Sequence, residues 1–100
     1  MATFISLVNL TEKGVREFHA TADRAAKFKA MAAKAGVTMK EVYWTMGAHD
    51  AVLILEAPDN QAVAAALLGL VSLGNVRTQT LPAFNSSEVK EIISKVPKAG

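Results

Sequence analysis

His49 and Asp50 are the residues of this chain best suited to acid–base chemistry. An imidazole changes charge near neutral pH, and a positioned carboxylate can take or give a proton. Both follow Gly47-Ala48, a pair suited to a tight type II′ hairpin turn with glycine first. Such a turn sets a register in which Met46 faces His49, Thr45 faces Asp50, Trp44 faces Ala51 and Tyr43 faces Val52. Neighbours on a strand point to opposite faces, so His49 and Asp50 are not expected to form a direct dyad. In this register Asp50 shares a face with Tyr43 and Thr45, and His49 shares one with Trp44. The plainer roles are a loop histidine that simply hydrogen-bonds and a turn aspartate that accepts backbone N–H groups. Tyr43 and Trp44 combine apolar bodies with polar tips, which suits a pocket wall or an interface. With Thr45 and Arg77 they complete the candidate ligand-binding set. Arg77, on an expected edge strand among Thr78, Gln79 and Thr80, can hold an anion or a partner's carboxylate. A solvated ion pair is its plainer role. His19 has no visible partner and is read as a surface residue.

Other chemistries find little footing. The two histidines lie thirty positions apart, and no His-x-x-x-His or carboxylate-rich cluster occurs, so no metal is expected. With no cysteine, thiolate zinc sites, disulfides and cysteine nucleophiles are excluded. No Gly-x-Gly-x-x-Gly, Walker loop or nucleophile elbow is present, and no cofactor is expected. A net charge of +2 is too weak a field for non-specific nucleic-acid binding. The aromatics do not interleave with cations as an RNA-stacking platform does. The longest apolar run, Ala62 to Val71, is about half the roughly 20 residues a spanning helix needs. The start of the chain lacks the pattern of a signal peptide. A cytoplasmic protein with no membrane or nucleic-acid partner is the expectation.

The elements that must position these residues can be read from the pattern. Thr3–Asn9 is strand-forming. Thr11 is a candidate N-cap for a helical turn over Glu12–His19, and Thr21 for a second helix. In that second helix Ala25, Phe28, Met31, Ala32 and Ala35 recur at three- and four-residue steps, and Gly36 stops it. Val37–Met46 and His49–Glu56 read as paired strands. A helix runs from Asp59 or Asn60 to about Leu73, with Val63, Leu67, Leu70 and Val71 on one face. Val76–Phe84 is a fourth strand, and Pro82 marks it as an edge or a bend. Ser86 or Ser87 caps a last helix striped by Val89, Ile92, Ile93 and Val96. This order predicts an α+β, ferredoxin-like βαββαβ fold with an extra C-terminal helix and a four-stranded antiparallel sheet ordered 4-1-3-2. One hundred residues make one domain, expected over 1–96 with a flexible tail over 97–100.

A sheet with helices on one face and water on the other should alternate apolar and polar residues. The two central strands do not. Ala51, Leu53 and Leu55 point one way while Val52 and Ile54 point the other. Ile5 and Leu7 likewise oppose Phe4 and Val8. Both faces therefore need cover, and the helices suffice for one. We expect a second subunit on the other, with Phe4, Val8, Val52 and Ile54 as the interface residues. The competing arrangement folds the C-terminal helix across that face.

The blocks Tyr43-Trp44-Thr45-Met46-Gly47-Ala48-His49-Asp50, Glu56-Ala57-Pro58-Asp59, Gly74-Asn75-Val76-Arg77-Thr78 and Ala83-Phe84 resemble the GYD domain family. Thr11, Gly14 and Arg24 belong to the same likeness, which spans nearly the whole chain. His49 stands where the family usually has the tyrosine of its signature. The resemblance implies a small bacterial or archaeal protein of the dimeric α+β barrel type, in which two ferredoxin-like sheets face each other. It implies no particular reaction. The leading reading is a homo-oligomeric barrel, a dimer or higher, that binds a small molecule or a protein partner. The alternatives are a small cofactor-free isomerase or monooxygenase using His49 and Asp50, and a structural subunit of a larger assembly.

Overall fold

The computed structural model describes residues 1–99. Strand β1 (Ala2–Leu10) leads into a short helix α1 (Glu12–Arg16), a single 3-10 turn (Phe18–Ala20) and helix α2 (Thr21–Lys34). Strands β2 (Thr38–Trp44) and β3 (Ala51–Ala57) follow, then helix α3 (Asn60–Val71), strand β4 (Val76–Ala83) and helix α4 (Ser86–Ser94). The sheet is antiparallel in the order β2-β3-β1-β4, which is the expected ferredoxin-like order. Pro82 lies on edge strand β4, where a missing N–H costs no ladder bond to a further strand.

Local chemistry accounts for most boundaries. Gly36 has φ +80°, and the chain closes α2 with Gly36 N–H donating to the Ala33 carbonyl and Val37 N–H to that of Ala32. This is the Schellman pattern, sealed by contact between the fully buried Ala32 and Val37. Two expected caps differ. Thr21 is not the α2 cap but its first residue, and its hydroxyl accepts from Trp44 Nε1 at 3.0 Å instead. Asn85, rather than Ser86 or Ser87, caps α4 in a reciprocal capping box with Glu88.

The core lies between the helices and one sheet face. Phe4, Val8, Leu53, Leu55 and Met39 meet Phe28 and Ala32 of α2 and Val63 and Leu67 of α3. Ser6, fully buried on that face, is satisfied by Thr80 Oγ1 at 3.0 Å across the β1–β4 ladder. Phe4 and Val8 are 3% and 5% exposed, so the expectation that they form a subunit interface is corrected. Pairing sets Phe4 against Leu55 and Val8 against Ala51, which puts them under their own helices. The uncovered face instead carries Ile5 and Leu7 with Val52, Ile54 and Leu81.

Helix α4 does not close that face. None of its residues is buried, and among the described residues no element packs closely against it. Val89, Ile92 and Ile93 of α4, and Val96 just beyond it, are exposed. The expected tail reaches Gly100, which lies outside the described residues. Among the described residues no helix is long and apolar enough to cross a membrane.

One close approach holds the start of the helical layer. A Cβ on buried Gly14 would sit 2.1 Å from the Asn75 carbonyl oxygen, which already accepts from Thr11 N–H at 3.0 Å. Backbone atoms on both sides leave nothing to yield. Gly14→Ala is therefore expected to lower unfolding stability by about 1–3 kcal/mol in urea titration, as overpacking does. An unchanged midpoint would mean that this contact relaxes freely.

Candidate functional site

A cavity of about 140 Å3 lies beneath α2, where β1 ends and β3 begins. Its floor is the helix-facing side of the sheet, with Val8, Val42, Ala51 and Leu53. Ala25, Phe28 and Met31 of α2 form the roof, and Leu70 and Leu73 close one end. Those α2 residues follow the helical spacing, so one stripe both builds the core and walls the cavity.

Asp50, Asn75, Trp44, Thr21, Arg24 and Lys27 supply the polar groups of the lining. Asp50 Oδ2 accepts from Leu10 N–H at 2.8 Å, while Asp50 N–H donates to the Val8 carbonyl at 2.8 Å. The residue thus staples the end of β1 to the start of β3. Arg24 donates to the Glu17 carbonyl at 3.1 Å and lies 3.6 Å from its carboxylate. That pairing directs its charge toward the 3-10 turn. Asn75 is 9% exposed, and its Oδ1 has no hydrogen-bond partner among the described residues.

Asn75 is held from outside the cavity. Thr11 donates its hydroxyl to the Gly74 carbonyl at 2.6 Å, and Lys13 Nζ reaches the Leu73 carbonyl at 3.1 Å. With the Thr11 N–H bond to Asn75, these contacts clasp the loop after α3 onto the N-terminus of α1.

The structure divides the candidate residues into three groups. Trp44 and Asp50 line the cavity together, although a two-residue turn would place them on opposite faces. The ladder keeps the expected partners Tyr43–Val52 and Trp44–Ala51 but stops there. Thr45 N–H still donates to the Asp50 carbonyl at 2.9 Å, and the chain then opens into a wider loop with Met46 fully in solvent. Asp50 therefore precedes the strand, and its side chain is free of strand alternation.

His49 and Thr45 form the second group. His49 Nδ1 pairs with Asn9 Oδ1 at 2.9 Å, and Asn9 Nδ2 donates to the Ala48 carbonyl at 2.7 Å. Thr45 donates its hydroxyl to the His49 carbonyl at 2.6 Å. These bonds organise the loop and turn His49 to a partner that Asp50 does not share. Tyr43 and Arg77 form the third group, on the uncovered sheet face. They belong to opposite edge strands, β2 and β4, and do not converge. Among the described residues no group of three or more His, Cys, Asp or Glu could hold a metal ion.

Sequence reasoning did not single out Asn75 or give Arg24 and Thr21 a place at a site. Gly74-Asn75 reads as a helix stop, and nothing in the local pattern shows that α1 pins it beside the cavity. The Asp50 staple is directly testable. Asp50→Ala leaves Leu10 N–H without its acceptor and is expected to lower stability by about 1–3 kcal/mol. Asp50→Asn keeps an acceptor oxygen and should lose less than half as much in the same denaturant titration. Equal losses would show that the bond to Leu10 is not what Asp50 contributes.

Comparison with known proteins bears on the same geometry. The family model described as GYD domain matches residues 4–93. A Thermus thermophilus protein named glutamine synthetase and cystathionine beta-lyase binding protein is 36% identical over 85 residues, covering 84% of this chain and 90% of its own. The crystal structure of TTHA0845, also from Thermus thermophilus, superposes with a TM-score of 0.56 at 25% identity, over 86% of this chain and 96% of that one. The crystal structure of MtbAldR gives a TM-score of 0.66 at 15% identity over 85% of this chain, a likeness of fold alone. This chain spans about half of that structure, 54% of its length.

Proposed function

We propose that this chain, which belongs to the GYD domain family, is a self-associating binding protein whose copies pair through the uncovered sheet face. The observation that carries the reading is the apolar centre of that face. Ile5, Leu7, Val52 and Ile54 sit side by side on the two central strands, and among the described residues no helix packs closely over them. Burying such a side chain fully contributes about 1.5–3 kcal/mol, part of which their strand neighbours already supply. Glu41, Glu56, Asn9 and Arg77 surround this centre as a polar rim, the usual anatomy of an association surface.

Size supports a contribution from α4. Four strands spaced about 4.8 Å apart and some seven residues long present roughly 400 Å2 in projection. Stable pairs cover about 800 Å2 a side. The exposed stripe of α4 is a second apolar surface that a neighbouring copy can cover. The name of the Thermus thermophilus relative, a binding protein for two enzymes, supports a protein partner beyond self-association. We place this role in the cytoplasm, which a chain without cysteine suits. Shared acid–base chemistry at His49 and Asp50 is the weaker reading, because the two side chains engage separate partners.

Light scattering at micromolar concentration is expected to give a dimer or larger. A 10.6 kDa particle would sink the proposal. Ile54→Asp places a charge at the centre of the face, where an unpaired buried charge costs about 3–5 kcal/mol. It should shift the assembly to monomers that keep the circular dichroism spectrum of the parent. A stable, unchanged oligomer would mean that copies meet elsewhere.

A further inference from the structure

We propose that α4 is an exchanged arm: its apolar stripe lies in the groove between α3 and β4 of a second copy, and that copy's α4 lies in the groove of the first. The inference rests on the self-association proposed above and names the surface that receives α4. The groove holds about 570 Å3 and runs between α3 and the edge strand on the helix side of the sheet. Val63, Leu67, Leu68 and Val71 of α3 form one wall, and Phe4 with Pro82 forms the other.

Three observations carry the assignment. The first is chemistry. Among the described residues no charged side chain lines the groove, and the hydroxyl of Thr80, one of its polar groups, is paired with Ser6. Leu68 is 70% exposed there. α4 presents the matching face. Val89, Ile92, Ile93 and Val96 recur at helical three- and four-residue steps, and Glu88, Lys90, Glu91 and Lys95 fall outside that stripe. Joining the two surfaces buries aliphatic groups and no charge. The second is length. The nine residues of α4 span about 13 Å, and the stretch of β4 from Thr78 to Pro82 that borders the groove spans about 14 Å. The third is area. The uncovered sheet face presents roughly half of what a stable pair covers. A helix about 13 Å long and about 10 Å wide covers roughly 130 Å2. Each copy gives one arm and receives one, so exchange adds that area twice per copy. The contact then falls within the usual range of about 600–1,000 Å2 a side.

The connection selects a second copy over the chain's own groove. Only Phe84 and Asn85 separate β4 from α4. Asn85 is extended, and the capping box ties both its backbone N–H and its side chain to Glu88. Turning α4 back into its own groove, which begins at Pro82, would have to reverse the chain within two residues, one of which the cap already fixes. β4 also borders both surfaces. Leu81 pairs with Ile5 on the uncovered side, while Thr80 and Pro82 face the groove. An arm from a copy paired through the sheet face has one strand to pass.

Cross-linking tests the exchange, because the chain has no cysteine of its own. Leu68→Cys and Ile93→Cys are made as separate variants, one of them isotope-labelled, then mixed, re-equilibrated and treated with a short bismaleimide. A two-chain product containing one of each, identified by mass, is expected. The chain carrying both cysteines should likewise give two-chain products, whereas a link within one chain would mean that α4 closes its own groove. Leu68→Glu and Ile93→Glu change side chains that are already exposed in the single chain, so both should keep the parent circular dichroism spectrum. Each is expected to raise the dimer dissociation constant at least about tenfold, because the loss occurs twice in a symmetric pair. A dimeric parent that gives no mixed product, links confined to one chain, or dissociation constants unchanged in both glutamate variants would each overturn the exchange and leave pairing through the sheet face standing. A monomeric parent would overturn both.

Discussion

The pairing of β1 with β3 is the constraint from which the rest of this molecule follows. Each strand is apolar on both faces, and their antiparallel register aligns apolar residues with apolar residues on each side. On one side, Phe4, Val8, Leu53 and Leu55 form the floor on which α2 and α3 pack. On the other, Ile5, Leu7, Val52 and Ile54 form a patch over which, among the described residues, no helix packs closely. A lone domain would gain by making that second side polar, as one-sided antiparallel sheets do. Under the proposed self-association, the strand pair that builds the core also shapes the surface through which copies would meet.

The same pair sets the position of the cavity. β1 outruns its pairing with β3 at Leu10, and the Asp50 carboxylate takes over as acceptor for the backbone N–H there. The chain then turns at once into α1, whose N-terminal residues grip the loop at Leu73–Asn75. Gly14 permits this grip because no side chain separates α1 from the Asn75 carbonyl. Asn75 is thus held by its backbone with its amide oxygen buried. A strand end, a staple and a clasp together fix Asn75 beside the cavity, with its amide oxygen buried and without a partner among the described residues.

These two surfaces also explain why a set of chemically plausible residues does not act as one site. Tyr43, Trp44, Thr45, His49, Asp50 and Arg77 are close in sequence or in the expected sheet, yet they are distributed among a cavity, a loop and an open face. Strand alternation separates Tyr43 from Trp44. The wide β2–β3 loop frees Asp50 from alternation and lets it join Trp44. His49 is drawn away by Asn9, a partner forty positions earlier.

Element order, sheet order and most boundaries were legible in the chain itself, because they rest on short-range causes. Gly36 ends α2 through its own backbone freedom, Pro82 marks an edge through its missing N–H, and the two-faced pattern of the central strands appears at period two. What the pattern could not say is which of two equivalent faces meets the helices. Period two shows that Phe4, Ser6 and Val8 lie together; only pairing with Leu55, Leu53 and Ala51 shows that they lie inward. The same limit hid Asn75, since its meaning comes from Thr11 and Gly14, some sixty residues away. Local chemistry determined the parts and the two-faced apolar pattern of the central strands. Long-range register and close packing decided which side faces inward and which polar atom is buried without a partner among the described residues.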